Sequence, residues 1–227
     1  MAGRWPILDL YLSSALPRDQ AEPAAALAQK LGVTPMMDDP DKLTRLCHTA
    51  EHQGYLARMT DFPYWDEESV LVRLPPDPFC VILDGIQDPF NFGAIVRSAE
   101  VFGVDALFIA ETGQVGVTSM VVRSSTGAVN RLPIVKVTEL EGLVQRLRAH
   151  GWRVVAASEK ADAVLKNNDF VRGSVVIIGN EGRGVSPNLL ALCDAMVGIP
   201  QVGRIGSLNA AVAASVFFYE MRRQRDS

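Results

Sequence analysis

A chain of 227 residues, 48 % hydrophobic and 21 % charged, has room for one ordinary domain, a smaller one and a sizeable core. No apolar run approaches the roughly 20 residues of a membrane span, the stretch MAGRWPILDLYLSS lacks the apolar core and cleavage site of a signal peptide, and Cys47, Cys80 and Cys193 are scattered without a Cys-x-x-Cys pair. The net charge of −4 gives no global support for a polyanionic partner, yet it is uneven: residues 1–76 hold 7 basic and 11 acidic side chains and the remainder 15 of each, which leaves basic residues free to gather on one face of the larger part.

In chain order, Ile7 to Leu12 reads as a short strand, Glu22 to Leu31 as an Ala-rich helix ending at Gly32, and Asp41 to Ala50 as a second helix. Residues 1–60 thus predict a small α/β unit. Its first apolar run starts within a few residues of Met1, leaving no room for an initial strand and helix. His48-Thr-Ala-Glu51-His52 matches His-x-x-Glu-His, a spacing that can set two imidazoles on one helical face for zinc. The predicted helix is short and Gly54 follows the second histidine at once, so these read as surface histidines and no metal is expected. Residues 61–78, with Pro63, Pro75, Pro76, Pro78 and the acidic Asp66-Glu67-Glu68, read as a linker.

From Phe79 the pattern changes to alternating strands and helices, over residues 79–227. Phe79 to Leu83, Ala106 to Ala110, Ile134 to Val137 and Arg153 to Ala157 read as strands, Phe92 to Phe102 and Leu140 to His150 as helices closed by Gly103 and Gly151. Val175 to Ile178 is an apolar β-branched strand stopped by Gly179, and Ser186-Pro187 reads as an N-cap followed by proline at the first helical position. A shorter run, Ala195 to Ile199, leads to a second glycine-punctuated loop, Gln201 to Gly206, and Ser207 to Glu220 has helical character. This alternation predicts a mostly parallel sheet covered on both faces.

Three segments carry candidate chemistry. In Asp84 to Gly93, Asp88 or Asn91 can cap the following helix, which then carries Arg97 within an otherwise apolar sequence. Gly179-Asn180-Glu181-Gly182-Arg183-Gly184 is neither a dinucleotide fingerprint nor a phosphate loop. Its interest lies in a partner loop, Gly203 to Asn209, which offers amides, a hydroxyl and a carboxamide at a second strand end, where open α/β sheets place ligands.

These segments resemble the three signature motifs of the SpoU (TrmH-like) RNA 2′-O-ribose methyltransferases of the SPOUT class. DPFNFGAIVRSAEVFGVDALFI resembles the first, VIIGNEGRGVSPNLL the second and IPQVGRIGSLNAAVAASVFFYE the third, and Arg123-Ser124-Ser125-Thr126-Gly127-Ala128 resembles a further Ser-rich segment. The match covers residues 79–222; Gln201 stands where many relatives have Met, and Gly206 where they often have a polar residue. Residues 1–60 are more loosely similar to the family's small α/β RNA-recognition domain, with His52-Gln53-Gly54 resembling its end and an initial strand and helix missing.

The resemblance implies a parallel sheet with a C-terminal trefoil knot and a homodimer, and the three scattered cysteines read as reduced, buried thiols of a cytoplasmic protein. It implies S-adenosylmethionine held at Gly179, Ile199 and Leu208, with Asn180, Glu181, Gly182, Pro200 and Ser207 beside them. It implies that Arg97 serves the ribose hydroxyl, positioned with Asn91, Glu181, Ser207 and Asn209, and that RNA phosphates meet Arg123, Arg131, Arg183 and Arg204. The expected substrate is large-subunit rRNA; the alternatives are tRNA methylation, or RNA binding and ribosome assembly without catalysis.

Overall fold

The structure, a computed structural model, describes residues 5–226, which fall into two units divided between Pro63 and Tyr64. In the first, strand β1 (Ile7–Ser13) leads through helix α1 (Arg18–Lys30) to β2 (Met36–Asp38), and helix α2 (Pro40–Cys47) leads to β3 (Tyr55–Met59). The sheet order is β2-β1-β3, with β1 parallel to β2 and antiparallel to β3. Helix α1 starts four residues before the Glu22 expected from sequence, because Pro23 costs it a single hydrogen bond and the chain is already helical from Arg18. Helix α2 stops at Cys47, and His48 takes a left-handed conformation. The His-x-x-Glu-His residues therefore share no helical face. The His52 ring contacts the Thr44 hydroxyl at 3.2 Å and accepts the Gly54 N–H at 2.9 Å. No group of three or more metal-ligating side chains occurs among the described residues, and none of their helices is long and apolar enough to cross a membrane.

The stretch read as a linker, residues 61–78, contains helix α3 (Glu67–Leu71). Asp66 caps it by accepting the Ser69 N–H at 2.9 Å, and Val70 is buried. Just before it, the Trp65 N–H donates to the Ile134 carbonyl. The prolines at both ends of this stretch hid a cap and an apolar anchor in its middle.

The larger unit holds a seven-stranded sheet, every pairing parallel. In chain order its elements are β4 (Phe79–Asp84), α4 (Pro89–Val101), β5 (Ala106–Ala110), α5 (Ser119–Ser124), β6 (Ile134–Val137), α6 (Leu140–Ala149), β7 (Arg153–Ala157), β8 (Ala163–Val164), β9 (Ser174–Gly179), α7 (Pro187–Leu190), β10 (Ala195–Gly198) and α8 (Ala210–Arg225). Strands β4 and β9 are buried along almost their whole length, as continuous apolar runs must be when helices cover both faces. On one face Cys80, Ile82 and Phe108 pack with Leu143, Val144 and Leu147 of α6. Helices α4 and α8 lie side by side, tied by a Ser215–Ser98 hydrogen bond of 2.8 Å, and Phe218 of α8 meets Phe79 edge-on.

The sheet order is β6-β5-β4-β9-β7-β10-β8. After β9 the chain passes over β7 and returns as β10 on its far side. The C-terminal ends of β4, β9, β7 and β10 are therefore four neighbours on one edge of the sheet, and the loops that leave them share one space.

Candidate active site

The loop after β9 is seated by glycine. A Cβ on Gly179 would stand 2.1 Å from the Gly184 carbonyl carbon and 2.2 Å from the Val185 nitrogen, so only a residue without one admits the returning backbone. Asn180 and Gly184 exchange backbone hydrogen bonds of 3.1 and 2.8 Å, closing the intervening Glu181-Gly182-Arg183 into a tight turn. The Asn180 carboxamide holds this turn from both sides. It donates to the Gly85 carbonyl at 2.9 Å and accepts the Gly182 and Arg183 N–H groups at 2.9 and 3.3 Å. Its side chain is thus spent on loop shape. Ser186 occupies the N-cap of α7, as its sequence suggested, but its hydroxyl makes no cap bond; its own N–H donates to Asp84 at 2.6 Å, binding the β4 and β9 ends together.

Asp88 caps α4 by accepting the Phe90 N–H at 3.0 Å, leaving Asn91 for another task. Asn91 donates to the Glu181 carboxylate at 2.6 Å and accepts from the Asn209 amide at 3.0 Å. The Asn209 oxygen in turn accepts the Ala211 and Val212 N–H groups at 2.9 and 3.3 Å, which makes Asn209 the cap of α8 and keeps Ser207 and Leu208 outside that helix. A carboxylate only accepts and a backbone N–H only donates, so both amides have one orientation that satisfies the chain. Three segments distant in sequence, the first turn of α4, the loop after β9 and the cap of α8, are joined by two side-chain hydrogen bonds.

Beside this chain lies a cleft of about 340 Å³. Gly179, Asn180, Glu181 and Gly182 line it from the β9 loop, and Ile199, Ser207 and Leu208 from the loop after β10; Pro200 does not. Ile178, Ala210, Ala213 and Phe217 supply an apolar wall. Sequence reasoning missed Ala157, Ser158, Glu159 and Lys160, which line the cleft from the end of β7. The strand itself was readable, but its place between β9 and β10 was not.

The remaining expected residues separate. Arg97 is exposed and its side chain makes no hydrogen bond or ion pair with a described residue. At about 100° per residue it lies about 120° around α4 from Asn91. It shares the outer stripe of α4 with Phe90, 57 % exposed, and Val101, 67 % exposed. Arg183 lines the cleft, and Arg204 is exposed on the loop after β10. Arg123 lies in the last turn of α5, and Arg131 is paired with Glu100 of α4 at 3.4 Å.

The family model described as the SpoU rRNA Methylase family matches residues 78–219. The chain is 31 % identical over 220 residues to a Bacillus subtilis protein named as a TrmH family tRNA/rRNA methyltransferase, YacO, covering 96 % of this chain and 88 % of that one. Among solved structures it resembles the SpoU methyltransferase AviRb from Streptomyces viridochromogenes in complex with AdoMet. That likeness has a TM-score of 0.84 and 30 % identity, over 99 % of this chain and 85 % of AviRb. An AdoMet-bound rRNA methyltransferase from Sinorhizobium meliloti superposes with a TM-score of 0.84 at 25 % identity, over 97 % and 81 % of the two chains.

Proposed function

The chain belongs to the SpoU rRNA methylase family, and from that premise we propose that it uses S-adenosylmethionine to methylate a ribose 2′-hydroxyl of large-subunit rRNA. The observation that carries the reading is the Glu181–Asn91–Asn209 chain at the side of the cleft. The cleft suits the cofactor: its volume falls within the range of roughly 300–1,000 Å³ usual for small-molecule sites, and it joins an apolar wall to a polar, charged lip. Backbone groups of Gly179, Ile199 and Leu208, with Gly182 and Ser207 beside them, would hold it, within the trefoil knot that the family resemblance implies. When bound, the cofactor supplies a methyl group on a sulfonium, already a good leaving group.

The protein's task is then alignment and proton removal. The Asn91 and Asn209 carboxamides fix the Glu181 carboxylate, and Ser207 offers a hydroxyl to the incoming ribose. A guanidinium is a poor base, so the role of Arg97 is to hold the adjacent phosphate and stabilise the developing alkoxide. RNA phosphates would also meet Arg183, Arg204, Arg123 and Arg131, and affinity should fall as salt rises.

A homodimer completes the reading. Its support is an outward apolar stripe on two adjacent helices, Phe90 and Val101 of α4 with Val212 (49 % exposed) and Tyr219 (56 % exposed) of α8. Arg97 stands in that stripe, so a second copy laid on it would bring the arginine to the interface.

Transfer of labelled methyl to unmodified rRNA and tRNA, supplied separately, tests the proposal. Label in rRNA that survives alkaline hydrolysis as a dinucleotide is the expected result, since a 2′-O-methyl group blocks strand cleavage. Label on a base overturns the ribose assignment, and label in tRNA alone overturns the substrate. No transfer and no cofactor binding overturn the enzyme.

A further inference from the structure

The turn after β7, Ser158-Glu159-Lys160-Ala161, is held against the neighbouring strand β10. A Cβ on Gly198 would stand 3.1 Å from the Ser158 carbonyl oxygen and 3.3 Å from that of Ala161, so the glycine admits a close approach that a side chain would contest. The Ser158 N–H donates to the Val197 carbonyl at 3.0 Å, and the Lys160 N–H donates to the Ser158 hydroxyl at 3.2 Å. The turn is built into the fold, and it sets Glu159 and Lys160 on the lip of the cleft. Neither side chain has a hydrogen bond or ion pair with another described residue.

Position decides what Glu159 meets. The apolar wall of Ile178, Ala213 and Phe217 suits a flat base, which would make that wall the base end of a bound nucleoside. Glu181, tied to Asn91 and Asn209, marks the reacting end. In a nucleoside sulfonium the ribose is the link between base and sulfur, so it must lie between these two ends. The turn after β7 sits between the loop of β9, which carries Glu181, and the loop of β10, which carries Ile199 and Leu208. A carboxylate is an acceptor-only group with two oxygens, the complement of a vicinal diol with two O–H donors.

We infer that Glu159 reads the cofactor's ribose, its carboxylate accepting hydrogen bonds from the 2′- and 3′-hydroxyls. This assignment rests on the cleft's being the S-adenosylmethionine site. It makes Glu159 a positioning residue: the ribose, once fixed, fixes the sulfonium methyl relative to Glu181.

The test is calorimetric binding of S-adenosylhomocysteine and of 5′-methylthioadenosine, which keeps the ribose but lacks the amino-acid end, to wild type and to Glu159→Gln. The expected result is an equal weakening of both ligands, on the order of tenfold or more, as for a lost charge-assisted hydrogen bond. Thermal unfolding of the ligand-free variant should match wild type, since the Glu159 side chain has no hydrogen bond or ion pair with a described residue. A loss confined to S-adenosylhomocysteine overturns the assignment, because Glu159 would then be reading the amino-acid end. Unchanged affinity for both ligands overturns it as well, while leaving the proposed function standing. Absence of S-adenosylhomocysteine binding to the wild-type protein overturns the reading of the cleft itself.

Discussion

Gly179 and Gly184 meet backbone to backbone: a Cβ placed on the first would stand 2.1 Å from the carbonyl carbon of the second. This contact folds Asn180 to Gly184 back on itself and points Glu181 at Asn91. The site's carboxylate owes its position to a side chain that is not there.

Gly179→Ala should therefore act on function before stability. The inserted methyl displaces a turn rather than a core side chain, so the global cost should be about 1–3 kcal/mol, the usual range for overpacking. Cofactor affinity should drop by more than tenfold, because the shifted turn supplies several lining groups at once. Paired calorimetry and thermal melts measure the two effects; a large melting-point loss with intact affinity would contradict the account.

Asn91→Asp replaces a donor with a second carboxylate 2.6 Å from Glu181. Like charges at that distance cannot both ionise freely, so one carboxyl takes a raised pKa. Turnover at neutral pH should fall by about 10²-fold or more. What remains should rise as the pH is lowered through that raised pKa, because the shared proton restores a donor between the two groups. A flat pH–rate profile for the variant would refute the hydrogen-bond chain as the operative feature.

Arg97 lies about 120° around α4 from Asn91, on the exposed apolar stripe. If it serves a site across a homodimer interface, Arg97→Ala and Glu181→Ala homodimers should each be nearly inactive while cofactor binding survives in the Arg97 variant. Mixing and re-annealing the two should then restore about a quarter of wild-type activity, since half the dimers are mixed and each rebuilds one intact site. Failure of the mixture to regain activity would place Arg97 in its own protomer's site.

Arg225 anchors the far end of α8. Its guanidinium donates to the carbonyls of Phe170, Asp77, Pro78 and Arg172 at 2.8–3.0 Å, and burial draws its pKa down from the usual arginine value. Arg225→Met keeps the apolar stem but strands these acceptors, at a cost of about 2–4 kcal/mol from the loss of several charged hydrogen bonds. Arg225→Lys should recover only a part, because an ammonium cannot span the planar fork. Denaturant titrations of the three proteins give the ranking; a lysine variant as stable as wild type would overturn it.

The sequence by itself determined most of the sheet. Runs such as Phe79 to Leu83 and Val175 to Ile178 are apolar without alternation, because strands covered on both faces have no solvent side, and the structure finds strands at both. Asn91, Glu181 and Asn209 were also legible, since their motifs have specific residues at fixed spacing, and folding brings these three together. Less of the first unit could be read: β2 has three residues, and neither β2 nor β3 was expected, because short strands at a small sheet's edges carry little periodicity. The Asp66 cap within the supposed linker was masked by the prolines around it.

Only the tertiary structure decided three things. Packing drew Asn91 to Glu181 and Asn209, while the Arg97 side chain on the same helix has no hydrogen-bond partner among the described residues. The seating of Asn209 as the cap of α8 held Ser207 and Leu208 in the loop lining the cleft. The order β9-β7-β10, in which the chain crosses a strand laid down earlier, brought Glu159 into a cleft whose other walls begin only at Ile178, well further along the chain. Strand formation follows from local composition; strand order is a long-range choice among pairings that are locally alike, and this protein's site lies where that choice was made.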